Sequence, residues 1–207
     1  MPRSIYKITL TGGRLCFNFI NTVYSRLEQP MEEYLTSYED LLVWCKKADK
    51  LDEHRIKILR NTMETHADLA AVNLQELIAI REMLYNLFLP ITNGKLPSEP
   101  IQEKFNHHLK EALIRMRLHV TADSTHIQFD SDPISLKEPA WPILKSAFDV
   151  LKKHEFSRIK TCGGCGWIFF DESKNNSRKW CDMQACGSQA KMRRYNKRKQ
   201  QKQNNDD

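Results

Sequence analysis

Glycine and proline are scarce in this chain, at seven and eight of 207 residues, which excludes collagenous and low-complexity architectures. No internal period of roughly 20–50 residues marks a solenoid or a propeller. Long apolar runs are missing too. The stretch 84–91 is broken by Asn86 and falls far short of the roughly 20 apolar residues that a membrane-spanning helix needs. The first seven residues, Met-Pro-Arg-Ser-Ile-Tyr-Lys, lack the apolar core and the small-residue cleavage site of a secretory leader. These absences predict a globular chain of the cytosol with no membrane partner. One further lack points toward function: residues 187–202 contain no acidic residue and no proline.

What is present is unevenly spread. Residues 158–207 hold twelve Lys and Arg against five Asp and Glu, whereas residues 1–157 hold twenty against twenty-one. The net charge of +6 therefore belongs to the last quarter, which predicts a polyanionic partner for that part, nucleic acid first and an anionic membrane surface second. Four of the six cysteines, Cys162, Cys165, Cys181 and Cys186, fall in the same quarter.

The remainder reads mostly as helix. After the Gly12-Gly13 break, Cys16, Phe19, Ile20, Val23 and Leu27 recur on one helical face. Ser37 is placed to cap a helix carrying Leu41, Leu42, Trp44 and Cys45. Residues 52–89 lack Pro and Gly and repeat apolar side chains, Leu69 and Val72 among them, at threes and fours, which predicts two successive helices ending near Pro90 and Gly94. A further helix puts Ile101, Phe105, Leu109 and Leu113 inward. Alternation over 117–121 and 126–130 predicts a two-stranded hairpin, and residues 139–154 return to helix. The expected organisation is a helical domain over 1–156, a zinc finger with a basic helix over 157–202, and a frayed tail over 203–207. The fold class is mainly α, or α+β when the hairpin and finger are counted.

The four clustered cysteines are spaced C-x2-C-x15-C-x4-C, close to a four-cysteine zinc pattern. Two ligands separated by two residues converge on one ion only if the chain turns sharply, and Gly163, Gly164 and Gly166 permit that turn. Four thiolates fill a tetrahedral shell, so one Zn2+ is expected in a structural role. Disulfides conflict with a reducing compartment, and a redox Cys-x-x-Cys needs a βαβ setting that is missing. An iron–sulfur cluster is the other four-cysteine option. Cys16 and Cys45 lie in apolar patterns and read as packed hydrophobes.

Trp167, Phe169, Phe170 and Trp180 either build a miniature core around the metal or offer platforms for stacking bases. Lys174, Arg178 and Lys179 in the polar loop that follows are of the types that bind phosphate oxygens. Beyond Cys186, Lys191, Arg193, Arg194, Lys197 and Arg198 crowd a predicted helix. Like charges so close repel unless a polyanion neutralises them. These eight residues are the expected nucleic-acid contacts, with duplex DNA as the first partner.

Cys162, Cys165, Trp167, Phe169, Asp171, Ser173, Lys174, Asn175, Ser177, Arg178, Trp180, Cys181, Met183, Cys186, Gly187, Ala190, Lys191 and Arg193-Arg194-Tyr195 follow one order. It runs Cys-x-x-Cys, an aromatic strand, Asp-x-Ser-Lys-Asn, Ser-Arg-x-Trp-Cys, then Cys-Gly and a basic stretch. That order resembles the CGNR zinc-finger family. The chain departs from it at Ser188-Gln189, where the family has Asn-Arg, so any contact of the family's Arg does not carry over to Gln189. Residues 15–22, 38–44, 80–85 and 146–151 resemble the helical ABATE domain, which precedes this finger in bacterial proteins proposed as stress-induced transcription regulators. The resemblance implies a bacterial, cytoplasmic, nucleoid-associated regulator whose finger binds DNA and whose helical domain senses an effector or mediates a homodimer.

Two other readings stand beside it: an RNA-binding module, and a zinc-stapled protein-interaction module. An enzyme is the least supported. His107 and His108 adjoin on a helix, point to different faces, have no acidic or thiol partner nearby in sequence, and read as surface histidines. Glu32-Glu33 and Asp52-Glu53 read as solvated helix starts. Asn18, Asn21 and Arg81-Glu82 are polar residues inside apolar helices, placed either to line a ligand pocket or to satisfy buried backbone and one another.

Overall fold

A computed structural model describes residues 4–192, 195 and 196. Arg193, Arg194, Lys197 and Arg198, and the tail 203–207, lie outside the described residues. Among the described residues, six α-helices, a further helical segment over 188–192, 195 and 196, and two small antiparallel hairpins make up the fold, in agreement with the mainly α expectation.

The centre is α4 (Ala67–Thr92), whose buried residues Leu74, Leu77, Ile80, Leu84, Leu87, Phe88 and Ile91 recur at helical spacing. Against it pack α1 (Leu15–Ile20), α2 (Tyr38–Lys47), α3 (Glu53–Thr65), α5 (Glu99–Arg115) and α6 (Ala140–Lys152). Phe17 of α1 meets Phe88 edge-to-face at 4.9 Å, and Phe19 meets Trp44 at 5.3 Å. Each such fully buried side chain contributes about 2–3 kcal/mol. Ser37 caps α2 as expected, in a reciprocal box with Asp40, and Asp52 accepts from the Arg55 amide at the start of α3. The first hairpin, β1 (Met116–Val120) and β2 (Thr125–Phe129), pairs Leu118 with Ile127 and His119 with His126.

Four details differ from the sequence reading. Helix α1 stops at Ile20, because the Thr22 hydroxyl turns back to the Phe19 carbonyl at 2.8 Å and Asn21 is claimed by another segment. Val23 then pairs as an isolated bridge with Glu33, and Leu27 is exposed. On α4, Leu69 and Val72 face solvent, while Asn73 is buried and turns its amide to the Leu69 carbonyl. On α5 the third inward position is Ala112, with Leu113 displaced toward solvent.

The second hairpin, β3 (Ile159–Thr161) and β4 (Ile168–Phe170), carries the cysteine turn. It lies on α4 and α1. Ile159, Trp167, Ile168, Phe169 and Phe170 are buried in the same continuous core as the helices, and the Phe170 amide donates to the Gly12 carbonyl at 2.9 Å. The aromatics of the finger therefore pack inward. Trp167, Phe169 and Phe170 are closed to base stacking, and Trp180 is half-buried over Gly163 and Gly187.

Candidate metal centre

Cys162 and Cys165 flank the tight turn between β3 and β4. The Gly166 amide donates to the Cys162 carbonyl and the Cys162 amide to the Trp167 carbonyl, both at 2.8 Å. Gly166 takes φ +74°, and a Cβ there would come within 2.8 Å of the Arg26 Cβ, so only glycine closes this turn against the helical part. At Gly164 the constraint is proximity, since an added Cβ would sit 3.1 Å from the Cys186 Cβ. The second pair hangs on Asp182, whose carboxylate accepts from the Gln184 and Ala185 amides at 2.7 and 3.0 Å and shapes the turn Met183–Gly187.

These two turns bring the four sulfurs within 4.8 Å of one another. Cys165 and Cys181 are 3.6 Å apart and Cys181 and Cys186 3.8 Å. A tetrahedral zinc with bonds near 2.3 Å has sulfur–sulfur edges of about 3.8 Å. The donor set thus fits one structural Zn2+, with no protein position left for a reacting ligand. Hydrogen bonds from Cys165 and Cys181 hold the Cys162 thiol far below the ordinary cysteine range. The contact with Cys162 pushes Cys165 and Cys181 up, and burial raises Cys186. A divalent cation relieves this competition by letting all four sulfurs ionise. Cys16 and Cys45, by contrast, are buried among apolar side chains, and burial pushes the Cys16 thiol up to about 12.

The polar loop after β4 is organised by Asp171, which is fully buried. Its carboxylate accepts from the Lys160 ammonium at 2.7 Å, the Ser173 amide at 2.9 Å and the Arg178 amide at 2.8 Å. Burial opposes its ionisation, but those donors outweigh burial and keep the carboxyl well below its usual range. The Lys160 ammonium also donates to the Asn176 and Arg178 carbonyls. No local motif marks Lys160, because its role depends on β3 lying beside the loop.

The expected nucleic-acid contacts divide into two groups. Lys174, Lys179 and Lys191 are exposed and make no ion pair with a described residue. Arg178 is half-buried, donates to the Cys181 carbonyl and lies 4.9 Å over the Phe169 ring, a bracing position beside a metal ligand. Residues 188–192, 195 and 196 are helical, so the chain passes directly from the turn at Cys186 into the basic segment.

The polar residues inside the apolar helices satisfy backbone and one another. The Asn21 side chain donates to the Ile168 carbonyl at 2.8 Å and accepts from the Ile168 amide at 3.1 Å. Asn18 accepts from the Gly12 amide. Arg81, 2% exposed, grips Glu33 with two donors at 2.7 Å and Glu82 with a third at 2.8 Å. Glu33 is thus a partner of Arg81 and does not start a helix. A cleft of about 700 Å³ opens elsewhere, between the α2–α3 turn, β2 and α6. Two ion pairs line it, Arg55 with Glu138 and Lys145 with Asp149, and Asp49, Lys50, Asp52 and Lys153 add further charges to its wall.

No helix among the described residues is long and apolar enough to cross a membrane. No curated protein sequence matches the chain. Two family models do. Residues 158–199 match the CGNR zinc finger, and residues 13–154 match ABATE, described as "Putative stress-induced transcription regulator". With that second match spanning more than half of its length, the chain belongs to the ABATE family and carries a CGNR zinc finger at its C-terminal end.

Proposed function

We propose that this protein is a zinc-dependent transcription regulator that binds duplex DNA through its finger. The observation that carries the reading is the junction at Cys186: the last metal ligand sits in a turn that runs straight into a helical, acid-free segment. Zinc would fix where that segment starts and how it leaves the body. Lys174, Lys179 and Lys191 are presented without an ion-pair partner among the described residues, and the net positive charge of the chain is concentrated around them. Burial of Trp167, Phe169 and Phe170 argues against an RNA module that stacks unpaired bases on them. The helical domain would take the regulatory input, through an effector in the cleft or through a second copy of the chain, in a nucleoid-associated protein.

The test is binding of zinc-quantified protein to duplex DNA, single-stranded DNA and RNA of random sequence across a salt series. Four to six phosphate contacts predict a log–log salt slope of about −4 to −5 on duplex, abolished by chelation. Absence of binding to any nucleic acid at about 50 mM salt, with one zinc per chain retained, would instead favour the protein-interaction module.

A further inference from the structure

We propose that α5 carries a second metal site, formed by His107, His108 and Glu111, that takes one divalent first-row transition cation such as Ni2+, Cu2+ or Zn2+. The site is independent of the cysteine centre and of the DNA-binding reading.

From sequence, His107 and His108 read as surface histidines, since neighbours on a helix diverge and no acidic residue adjoins them. The structure corrects both points. Glu111 lies one turn on, at i+4 from His107 and i+3 from His108, so its carboxylate reaches both imidazoles. One oxygen lies 3.7 Å from His107 Nε2, and the other lies 3.6 Å from His108 Nδ1. The two rings stand edge-to-face with centroids 5.3 Å apart, and the three ligand atoms lie within 4.8 Å of one another.

Bonds near 2.0–2.1 Å to nitrogen and oxygen require ligand-to-ligand spacings of about 3.4 Å in a tetrahedral shell. Each His–Glu spacing, one to either carboxylate oxygen, is within a few tenths of an ångström of that value, so a small rotation of the carboxylate brings one oxygen or both to a shared ion. The remaining adjustment is rotation of the exposed His107 and Glu111 side chains and of the half-buried His108, which flanks the buried face of Phe105, Leu109 and Ala112. Two imidazoles and one carboxylate on one face, with open positions, are a donor set suited to these cations and ill-suited to Ca2+ or Mg2+, which take oxygen shells.

The carboxylate is also free to serve. Arg115 sits one turn beyond Glu111 and is the natural competitor for it. Its guanidinium instead donates to the Asp132 carbonyl at 2.9 Å and lies over Trp141. Among the described residues, the two imidazoles are the only cationic or potentially cationic groups within ion-pair distance of Glu111. A second imidazole pair, His119 and His126, faces across the β1–β2 hairpin with rings stacked at 5.1 Å. It lacks a carboxylate in the set, and it supplies the internal control.

The experiment is a calorimetric Ni2+ titration of the full chain with one zinc already bound per molecule. One additional ion per chain is expected. H107A/H108A is expected to weaken its binding about tenfold or more, and E111Q several-fold, whereas H119A/H126A leaves it unchanged. Alanine favours helix and none of the three side chains is buried in the core, so the variants should keep the wild-type circular dichroism. A second readout is the Cu2+ electron paramagnetic resonance spectrum, which should show coupling to two imidazole nitrogens that H107A/H108A removes. Full-strength Ni2+ binding by H107A/H108A, its loss in H119A/H126A, or no second ion in the wild-type chain would each overturn the proposal.

Discussion

The backbone amide of Arg26 donates to the carbonyl of Cys165 at 2.7 Å, which ties the metal turn to the loop after α1. The Arg26 side chain then spreads into the helical body, with one donor on the Ile20 carbonyl at 2.7 Å, another on Glu82, and its plane over Tyr85 at 4.2 Å. Close by, Trp167 donates its indole N–H to the Val23 carbonyl at 2.8 Å. The finger is therefore an integral wall of the helical domain rather than a bead on a linker.

Chelating the metal should consequently unsettle more than the finger. Structural zinc sites contribute folding free energy outright, and a loss of about 4 kcal/mol lowers the melting temperature of a chain this size by about 8–16 °C. The expected result is one cooperative transition that moves down as a whole, with amide exchange rising across residues 21–26 as well as 162–187. A helical transition that stays in place after zinc removal would contradict this coupling.

Asn21 offers a sharper test of the same seam. Its side chain satisfies both the N–H and the C=O of Ile168, the buried first residue of β4. Asn21→Ala leaves two buried backbone groups without partners, at about 1–3 kcal/mol each. Asn21→Asp restores an acceptor for the amide but faces the Ile168 carbonyl with a charge. Both variants should lose about 2–6 kcal/mol in urea unfolding, with Asp no better than Ala. A loss below about 0.5 kcal/mol, the scale of an ordinary surface change, would show that the seam is not held here.

How much of this was legible in the sequence depended on range. The Ser37 cap and the four-cysteine spacing are local patterns, and each appears where the pattern put it, while the hairpin expected over 117–121 and 126–130 forms one residue earlier, over 116–120 and 125–129. The end of α1 was not legible, because Asn21 leaves the helix for a partner 147 positions away. Arg81 looked equally suited to a pocket or to a buried network. Only the return of the chain through Glu33 decides for the network. Leu69 and Val72 fit the apolar period of α4 yet face water, since the period gives a stripe but not how far a neighbouring helix covers it. The Glu111 partnership, by contrast, is local: it lies at i+4 from His107 and i+3 from His108, spacings that share a helix face.

Asp171 sets a pH dependence whose sign follows from its environment. Its carboxyl is depressed in the folded state, so its contribution is complete above the ordinary Asp value of about 3.9 and is lost as pH falls through the lower folded value. The stability gap between wild type and Asp171→Asn, both zinc-loaded, should therefore be flat from about pH 8 to 5 and narrow only below about pH 4. Urea unfolding at each pH measures it. Narrowing already between pH 8 and 6 would assign the gap to some other group, with the cysteine ligands the first suspects.

The loop of residues 171–180 separates bracing from binding within one short segment. Arg178 donates to the carbonyl of the ligand Cys181 and covers Phe169, and partners of this kind alter metal affinity by about 10–100-fold when removed. Arg178→Gln should therefore weaken zinc retention against a chromophoric chelator by about that factor. Lys174 and Lys179 are exposed and have no ion-pair partner among the described residues, so Lys174→Gln/Lys179→Gln should leave zinc retention at the wild-type level. On the DNA-binding reading the same double variant should weaken duplex binding and flatten the log–log salt slope by about 1.8, two phosphate contacts' worth. If the lysine variant loses zinc while the arginine variant keeps it, the two roles are reversed. If neither moves the salt slope while wild-type protein binds duplex, the contacts lie in the basic segment beyond Cys186, and substitution of Lys191 is the next measurement.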